Sequence, residues 1–467
     1  MAAVDDLPGR ARSAGAGIIW VSLPRIGWAE ALVAVAAFVA TCVAVLERTP
    51  KLLEGDDFAY LTSIIALTRG HLVLSNVDYQ ALLSQMSARG PRLNPFVHLA
   101  GGGWISEKNP GYPFLAAPFA ALSLLRIAPL FYGALGCLGL FAGGRRWLGR
   151  WGGTWAVTLF CSSGAALVFA WRATMPTFTE ASLIAAGYGA LLWAMLAVEK
   201  TPRLRTVVGL LGFLALEAAT FSRYTNVVLL GVAAVAVMLT SRRAALPARS
   251  VGWWLGSVGL FAAGVLAFNQ EVYGAPLQTG YASGEITFSL GAIAPNVQHM
   301  PAHLVASMPM VLLALAAVGW LALRAVRSRH ADLDPSRRAT HRRAALIGAT
   351  LAAGWVGMWG LYSAYDWTVQ TALGNNSTVQ VVRFYLPAIG LIALLGAWLL
   401  VQLPRWLALI LLAIVVGLGA LSYPALAEGN FGGPGAPSGP PARTAPNAPP
   451  PGGAARNPAQ VPPGVRS

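Results

Sequence analysis

Glu54, Asp56 and Asp57 place three carboxylates within four positions of a chain in which only 18 of 467 residues are Asp or Glu. Ionised carboxylates only accept hydrogen bonds, so two neighbouring ones suit a general base or a divalent-cation ligand. Cationic and aromatic residues recur further on: Glu107-Lys108, Trp171-Arg172, Phe221-Ser222-Arg223-Tyr224, Tyr273-Gly274-Ala275-Pro276 and Arg383-Phe384-Tyr385. Arginine grips phosphate through two parallel N–H groups and lysine acts as a point charge. Acids beside such cations fit group transfer from a phosphate-activated lipid, provided the chain brings them to one face.

The elements that must do this are apolar. The sequence is 56% hydrophobic and 11% charged, with 16 Trp, whereas soluble domains average about 25% charged residues. Apolar runs of roughly 20 residues recur, each long enough as a helix to cross a hydrocarbon core of about 30 Å. Spans are expected at 27–47, 127–143, 152–170, 177–197, 206–221, 225–241, 252–270, 303–323, 345–365, 382–401 and 406–427, eleven in all. The run 111–125 is too short to cross and opens with Gly-Tyr-Pro, so it reads as an interfacial or re-entrant helix. The fold class is therefore an all-α polytopic membrane protein. The net charge of +15 sits in short clusters at span ends and shows no basic–aromatic groove, which argues against a nucleic-acid partner. Cys42, Cys137 and Cys161 fall in or beside apolar runs and read as small buried hydrophobes.

Charge asymmetry orients the chain. Clusters at Arg145-Arg146-Arg150, Lys200-Arg203-Arg205, Arg242-Arg243-Arg249, the Arg-rich run 324–343 and Arg405 mark one side. Most acids lie in the alternate loops. By the positive-inside tendency, residues 1–26 form a cytoplasmic segment and loops 48–126, 271–302 and 366–380 face outward. Residues 428–467 are rich in Pro, Gly and Ala and are expected to be a disordered outer tail. Most Trp residues read as interface-belt residues. Glu217 lies inside an expected span, where an ionisable group is costly and usually functional or paired.

Asp56-Asp57-x-x-Tyr60, then Ala66, Gly70 and His71, resembles the Asp-Glu-x-x-Tyr segment after the first span of GT-C glycosyltransferases. These enzymes use polyprenyl-phosphate sugars and include protein O-mannosyltransferases and lipid A aminoarabinose transferases. Lys108-Asn109-Pro110-Gly111-Tyr112-Pro113 resembles their Lys-x-Pro-Gly-Tyr-Pro motif, and Arg223 and Arg383-Phe384-Tyr385-Leu386-Pro387 are similar to arginines at the ends of later spans. Tyr273 to Tyr281 fits as well, so the resemblance covers residues 27–400. It implies a transferase in the bacterial cytoplasmic membrane with its site facing outward. Asp56 takes the position of the family's catalytic Asp. Asp57 stands where many members have Glu and is a helper by charge alone.

Some of Lys108, Arg172, Arg223 and Arg383 are expected to hold the donor phosphate, and Tyr60, Glu107, Tyr112, Tyr273 and Tyr385 are expected to line the substrate site. The expected partners are a polyprenyl-phosphate sugar donor, a lipid, glycan or protein acceptor, and the bilayer. No cofactor is implied beyond an optional divalent metal, for which His299 and His303, four residues apart, are the candidates. The alternative reading is a transporter or flippase of lipid-linked sugars, in which the same cations bind phosphate and no bond breaks. No internal repeat or pair of broken helices in matching halves supports that alternative.

Overall fold

The computed structural model describes residues 27–48, 55–88, 95–99, 101–197, 199–241, 246–281, 286–330, 335–372 and 378–428. The expected cytoplasmic segment 1–26, Glu54 and the tail beyond 428 lie outside the described residues. In chain order, α1 (Trp28–Leu46) is followed by α2 (Gly55–Thr68), α3 (Asn76–Ala88), β1 (Phe96–His98), β2 (Trp104–Ser106) and α4 (Gly111–Ala121). The bundle continues with α5 (Ala128–Leu148), α6 (Gly152–Cys161), α7 (Gly164–Trp171), α8 (Thr177–Leu196), α9 (Pro202–Ser222), α10 (Val227–Thr240) and α11 (Ala248–Tyr273). It ends with α12 (Ile293–Ser307), α13 (Val311–His330), α14 (Pro335–Ser363), α15 (Asp366–Ala372), α16 (Thr378–Val382), α17 (Ile389–Gln402) and α18 (Arg405–Glu428).

The chain is a multi-pass helical membrane protein, but the eleven expected spans are not eleven equal crossings. Among the described residues, seven helices are each long and apolar enough to cross, or up to nine if each of two further bent pairs is one span. α6 and α7 meet at 63°, and α12 (with the turn at Leu290–Ala292) meets α13 at 111°. The expected span 303–323 is thus the end of one helix and the start of another, running in different directions. α10 and α17, with their leading turns, are shorter apolar helices.

Small residues let the central helices touch backbone to backbone. On α5, a Cβ at Gly139 would lie 2.6 Å from the Ala186 Cα, and one at Gly143 would lie 2.5 Å from the Gly189 carbonyl oxygen on α8. Without a hydrophobic drive between helices in lipid, this close van der Waals contact is what holds them. α8 approaches α9 equally closely, with a Gly187 Cβ position 2.8 Å from the Gly212 carbonyl oxygen. A polar clamp closes one end of the bundle: buried Glu30 of α1 pairs with Arg145 and Arg150. Arg146 pairs with Glu199 at the same end.

The loop after α1 folds as a small unit, not as an extended segment. β1 and β2 form an antiparallel hairpin pairing Phe96 with Ser106 and His98 with Trp104. Trp104 stacks on Tyr79 at 3.7 Å and donates its indole N–H to Asn76 Oδ1 at 2.9 Å. These residues form, with Ala66, Leu74 and Phe96, a second buried cluster separate from the bundle core. α11 stands apart in a different sense, because little of it is buried within the chain.

Candidate active site

α2 starts just past the end of α1, with Asp56 and Asp57 in its first turn, where carboxylates suit the helix dipole. Consecutive residues on a helix point about 100° apart, so the two acids cannot face the same partner. Asp57 turns into the bundle and is fully buried. Its Oδ2 accepts from Arg172 Nη2 at 2.5 Å and its Oδ1 from the Thr174 hydroxyl at 2.6 Å. Asp56 stays at the mouth, with its side chain 21% exposed, and pairs with Lys108 Nζ at 3.0 Å and Arg383 Nη1 at 3.1 Å.

Lys108 is delivered by the hairpin: its backbone N–H bonds the Ser106 hydroxyl at 3.0 Å, immediately after β2. Its ammonium also meets Glu107 at 2.8 Å and lies 5.0 Å from the centre of the Tyr281 ring. The segment carrying Tyr281 can close over this pair because residue 280 is glycine. A Cβ there would sit 2.5 Å from the Glu107 Cα. Burial alone would raise the Asp56 pKa, but the Lys108 ammonium and then the Arg383 guanidinium outweigh it. They hold the carboxyl well below the usual carboxylate range. Burial would lower Lys108, yet Asp56, Tyr281 and Glu107 hold it well above its ordinary value.

The Pro-Gly-Tyr-Pro turn that follows sets the next layer. Gly111 opens α4 so tightly against the end of α9 that a Cβ would lie 2.4 Å from backbone atoms of Phe221 and Ser222. Arg223 is therefore held beside the start of α4. Tyr112 is fully buried, packs edge-on against Tyr60 at 6.1 Å, and donates its hydroxyl to the Ala173 carbonyl. Arg223 Nε pairs with Glu180 at 3.2 Å, and its Nη2 reaches the Thr177 hydroxyl at 3.4 Å. The Arg223 and Arg383 guanidiniums both lie against the Phe384 ring, at 5.4 and 4.8 Å. Arg383 also meets Trp367 at 5.3 Å.

Of the expected site residues, Asp56, Glu107, Lys108 and Arg383 thus form one ion-paired cluster. Arg223 and Tyr60 stand in the adjoining layer: both Tyr60 and Tyr281 sense the charges of Arg223 and of Lys108. Arg172 is not at the mouth; it is buried against Asp57. Tyr385 lies in an aromatic wall with Trp359 and Tyr362, its carbonyl accepting from the Trp359 indole at 3.0 Å. Tyr273 ends α11 and packs against Phe268. His299 and His303 sit on α12, and no group of three or more His, Cys, Asp or Glu side chains that could hold a metal occurs among the described residues.

Glu180 and Tyr281 enter the site without a role expected from sequence. Tyr281 closes the Tyr273–Tyr281 stretch that forms part of the family resemblance, although only Tyr273 of that stretch is among the expected site residues. Glu180 carried a usable signal, an acid inside an apolar run, of the same kind that flagged Glu217. Glu217 itself accepts from Ser257 Oγ at 2.8 Å, a bond joining α9 to α11 away from the Asp56 cluster.

No protein-family model matches the sequence, and no curated relative does. Solved structures do match. The oligosaccharyltransferase of Archaeoglobus fulgidus aligns over 87% of this chain with a TM-score of 0.53 at 12% identity. The chain has the GT-C fold. The chain spans 56% of the length of that oligosaccharyltransferase. ArnT of Cupriavidus metallidurans, solved with undecaprenyl phosphate, aligns over 86% of this chain and 66% of its own length, at 15% identity and a TM-score of 0.49. Within this GT-C fold the Asp56 cluster draws on α2, the turn before α4, and the segment between α16 and α17.

Proposed function

We propose that the protein is a membrane glycosyltransferase that moves a sugar from a polyprenyl-phosphate donor to an acceptor hydroxyl. The observation that carries this reading is the arrangement of one carboxylate, Asp56, between two cations, Lys108 and Arg383, at the mouth of a GT-C bundle. An acid and a phosphate-binding pair at one point supply both halves of a displacement at a sugar carbon. The acceptor oxygen bonds to the anomeric carbon while the bond from that carbon to the phosphate oxygen breaks. Asp56 takes the acceptor proton, and the departing electron pair remains on the phosphate. Lys108 and Arg383 neutralise the charge that develops there, the kind of electrostatic stabilisation that dominates many enzyme rate enhancements.

The ion pairs add a sequence to these events. A carboxylate clamped by two cations is a weak base, since a base works best with a pKa near the ambient pH. Donor phosphate competes for the same two cations. Its arrival loosens their hold on Asp56 and raises its basicity when the sugar is in place. Asp57, Arg172 and Thr174 act from behind, fixing the first turn of α2. Arg223 is a third phosphate contact, Tyr60 and Tyr281 line the space between, and the catalytic side faces outward from the bacterial cytoplasmic membrane.

A liposome experiment separates transfer from transport. Purified protein is supplied with a polyprenyl-phosphate carrying a radiolabelled hexose or pentose, plus a membrane glycan extract as acceptor. Label leaving the lipid, with one polyprenyl phosphate released per sugar, is the expected result. Label that crosses the bilayer while still on the lipid would make the protein a transporter.

A further inference from the structure

Glu180 is a carboxylate buried in the first turn of α8, inside a candidate membrane span. Such a group is costly in lipid and is retained where it is functional or paired. It touches none of the residues assigned above to proton transfer. Its Oε2 accepts from Arg223 Nε at 3.2 Å and from Asn226 Nδ2 at 3.1 Å, while Oε1 has no hydrogen-bond partner among the described residues. Asn226 is itself fixed, since the same Nδ2 donates to the Ala219 carbonyl at 2.9 Å. The carboxylate thus grips Arg223 at Nε, the stem side of the guanidinium. Thr177, one turn before Glu180 on the same helix, receives Nη2. Phe384 supports the guanidinium plane from the Arg383 side. Tyr60 and Tyr362 face the pair, and Arg383 lies within electrostatic range of Glu180.

α8, which carries Glu180, and α9, which ends one residue before Arg223, meet backbone to backbone through the Gly187 and Gly212 approach. The Glu180–Arg223 geometry is therefore set by rigid backbone, unlike that of a surface pair. We propose that Glu180 is a positioning residue that aims Arg223 at the donor phosphate, acting through reach and not through charge. This rests on the lipid-phosphate reading above and deepens it. The charge effect has the opposite sign: an extra anion near the site weakens phosphate binding, so removing it should tighten binding. Only a role in aiming Arg223 predicts that a shortened acid does harm.

The test measures affinity of the full-length protein in nanodiscs for undecaprenyl phosphate and for undecaprenol, whose ratio reports phosphate recognition alone. Glu180→Asp keeps the charge and loses the reach, and should lower that ratio by about tenfold, the worth of one hydrogen bond to a charged group. Glu180→Gln keeps the reach and an acceptor oxygen without the charge, and should restore the ratio to within about threefold of wild type. In an Arg223→Leu background, Glu180→Asp should cost nothing further. Glu180→Asp matching wild type, or a full additional loss in the Arg223→Leu background, would overturn the proposal. A ratio unchanged in both single variants would make Glu180 structural only, which also overturns it. A wild-type protein that binds the two lipids equally would instead remove the lipid-phosphate reading itself. Glu180→Gln leaves Arg223 and Asn226 a polar partner, and each variant is compared with wild type at matched thermal stability.

Discussion

At the scale of single residues, the structure gives two adjacent acids different surroundings. Asp57 is a buried partner of Arg172, and losing one member of a buried pair costs about 3–5 kcal/mol because the other is left uncompensated. Asp57→Ala is therefore expected to lower the unfolding temperature markedly, read by thermal unfolding in detergent, and by more than Asp56→Asn, because Asp56 is 21% exposed where Asp57 is fully buried. Asp56 has a different signature. Its pKa is depressed in the free protein, so its ionised form and the stability of its ion pairs are fully present above the ordinary carboxylate pKa of about 3.9. Both are lost only as pH falls through the lower folded value. Phosphate competition for Lys108 and Arg383 then moves the acidic limb of kcat to higher pH than that of kcat/KM. Coincident limbs in pH–rate profiles would mean that the donor leaves the two ion pairs intact. Sequence rarity pointed to the acids, but which of them faces the mouth depends on the start of α2, and no periodicity in a polar loop reveals that.

At the scale of elements, what was legible followed length and apolarity, and what was not followed tertiary contact. The segments expected to span are helical because each is a long apolar run, and the short helix at 111–121 was readable from its length. The 111° bend between α12 and α13 is marked only by Pro309, a helix breaker inside an apolar pattern that otherwise runs on from Met308 through Met310. The hairpin that delivers Lys108 was hidden, because three-residue strands are set by pairing and by the Trp104–Tyr79 stack, not by a local pattern. The Lys-x-Pro-Gly-Tyr-Pro motif gains a steric meaning: glycine at 111 lets α4 start against the α9 backbone. Gly111→Val should push the two apart, costing about 1–3 kcal/mol of stability through overpacking. Displacing Lys108 from Arg223 in this way should cost about 10²-fold in turnover. Normal turnover with a normal unfolding profile would mean that this close approach does not position the site.

At the scale of the whole molecule, the charged groups divide between two ends. Asp56, Lys108, Arg223 and Arg383 gather where α1, α9 and α11 end and where α8, α10 and α17 begin, while Glu30, Arg145, Arg146 and Glu199 pair at the other end. Charge asymmetry in the sequence anticipated that division. The proposed outward orientation gives a labelling prediction in a variant lacking Cys42, Cys137 and Cys161. A cysteine replacing Leu277, which is 86% exposed at the site end, should react with an impermeant maleimide in intact cells. One replacing Lys200 at the opposite end should react only after permeabilisation, and the reverse pattern would invert the topology. The most direct measurement is sugar transfer from the polyprenyl-phosphate donor by membranes holding equal amounts of wild-type and Asp56→Asn protein. Wild-type membranes should transfer label, and the variant should lose roughly 10² to 10⁴ in rate, the worth of a positioned general base; wild-type-like transfer by a well-expressed Asp56→Asn protein would contradict the role assigned to Asp56.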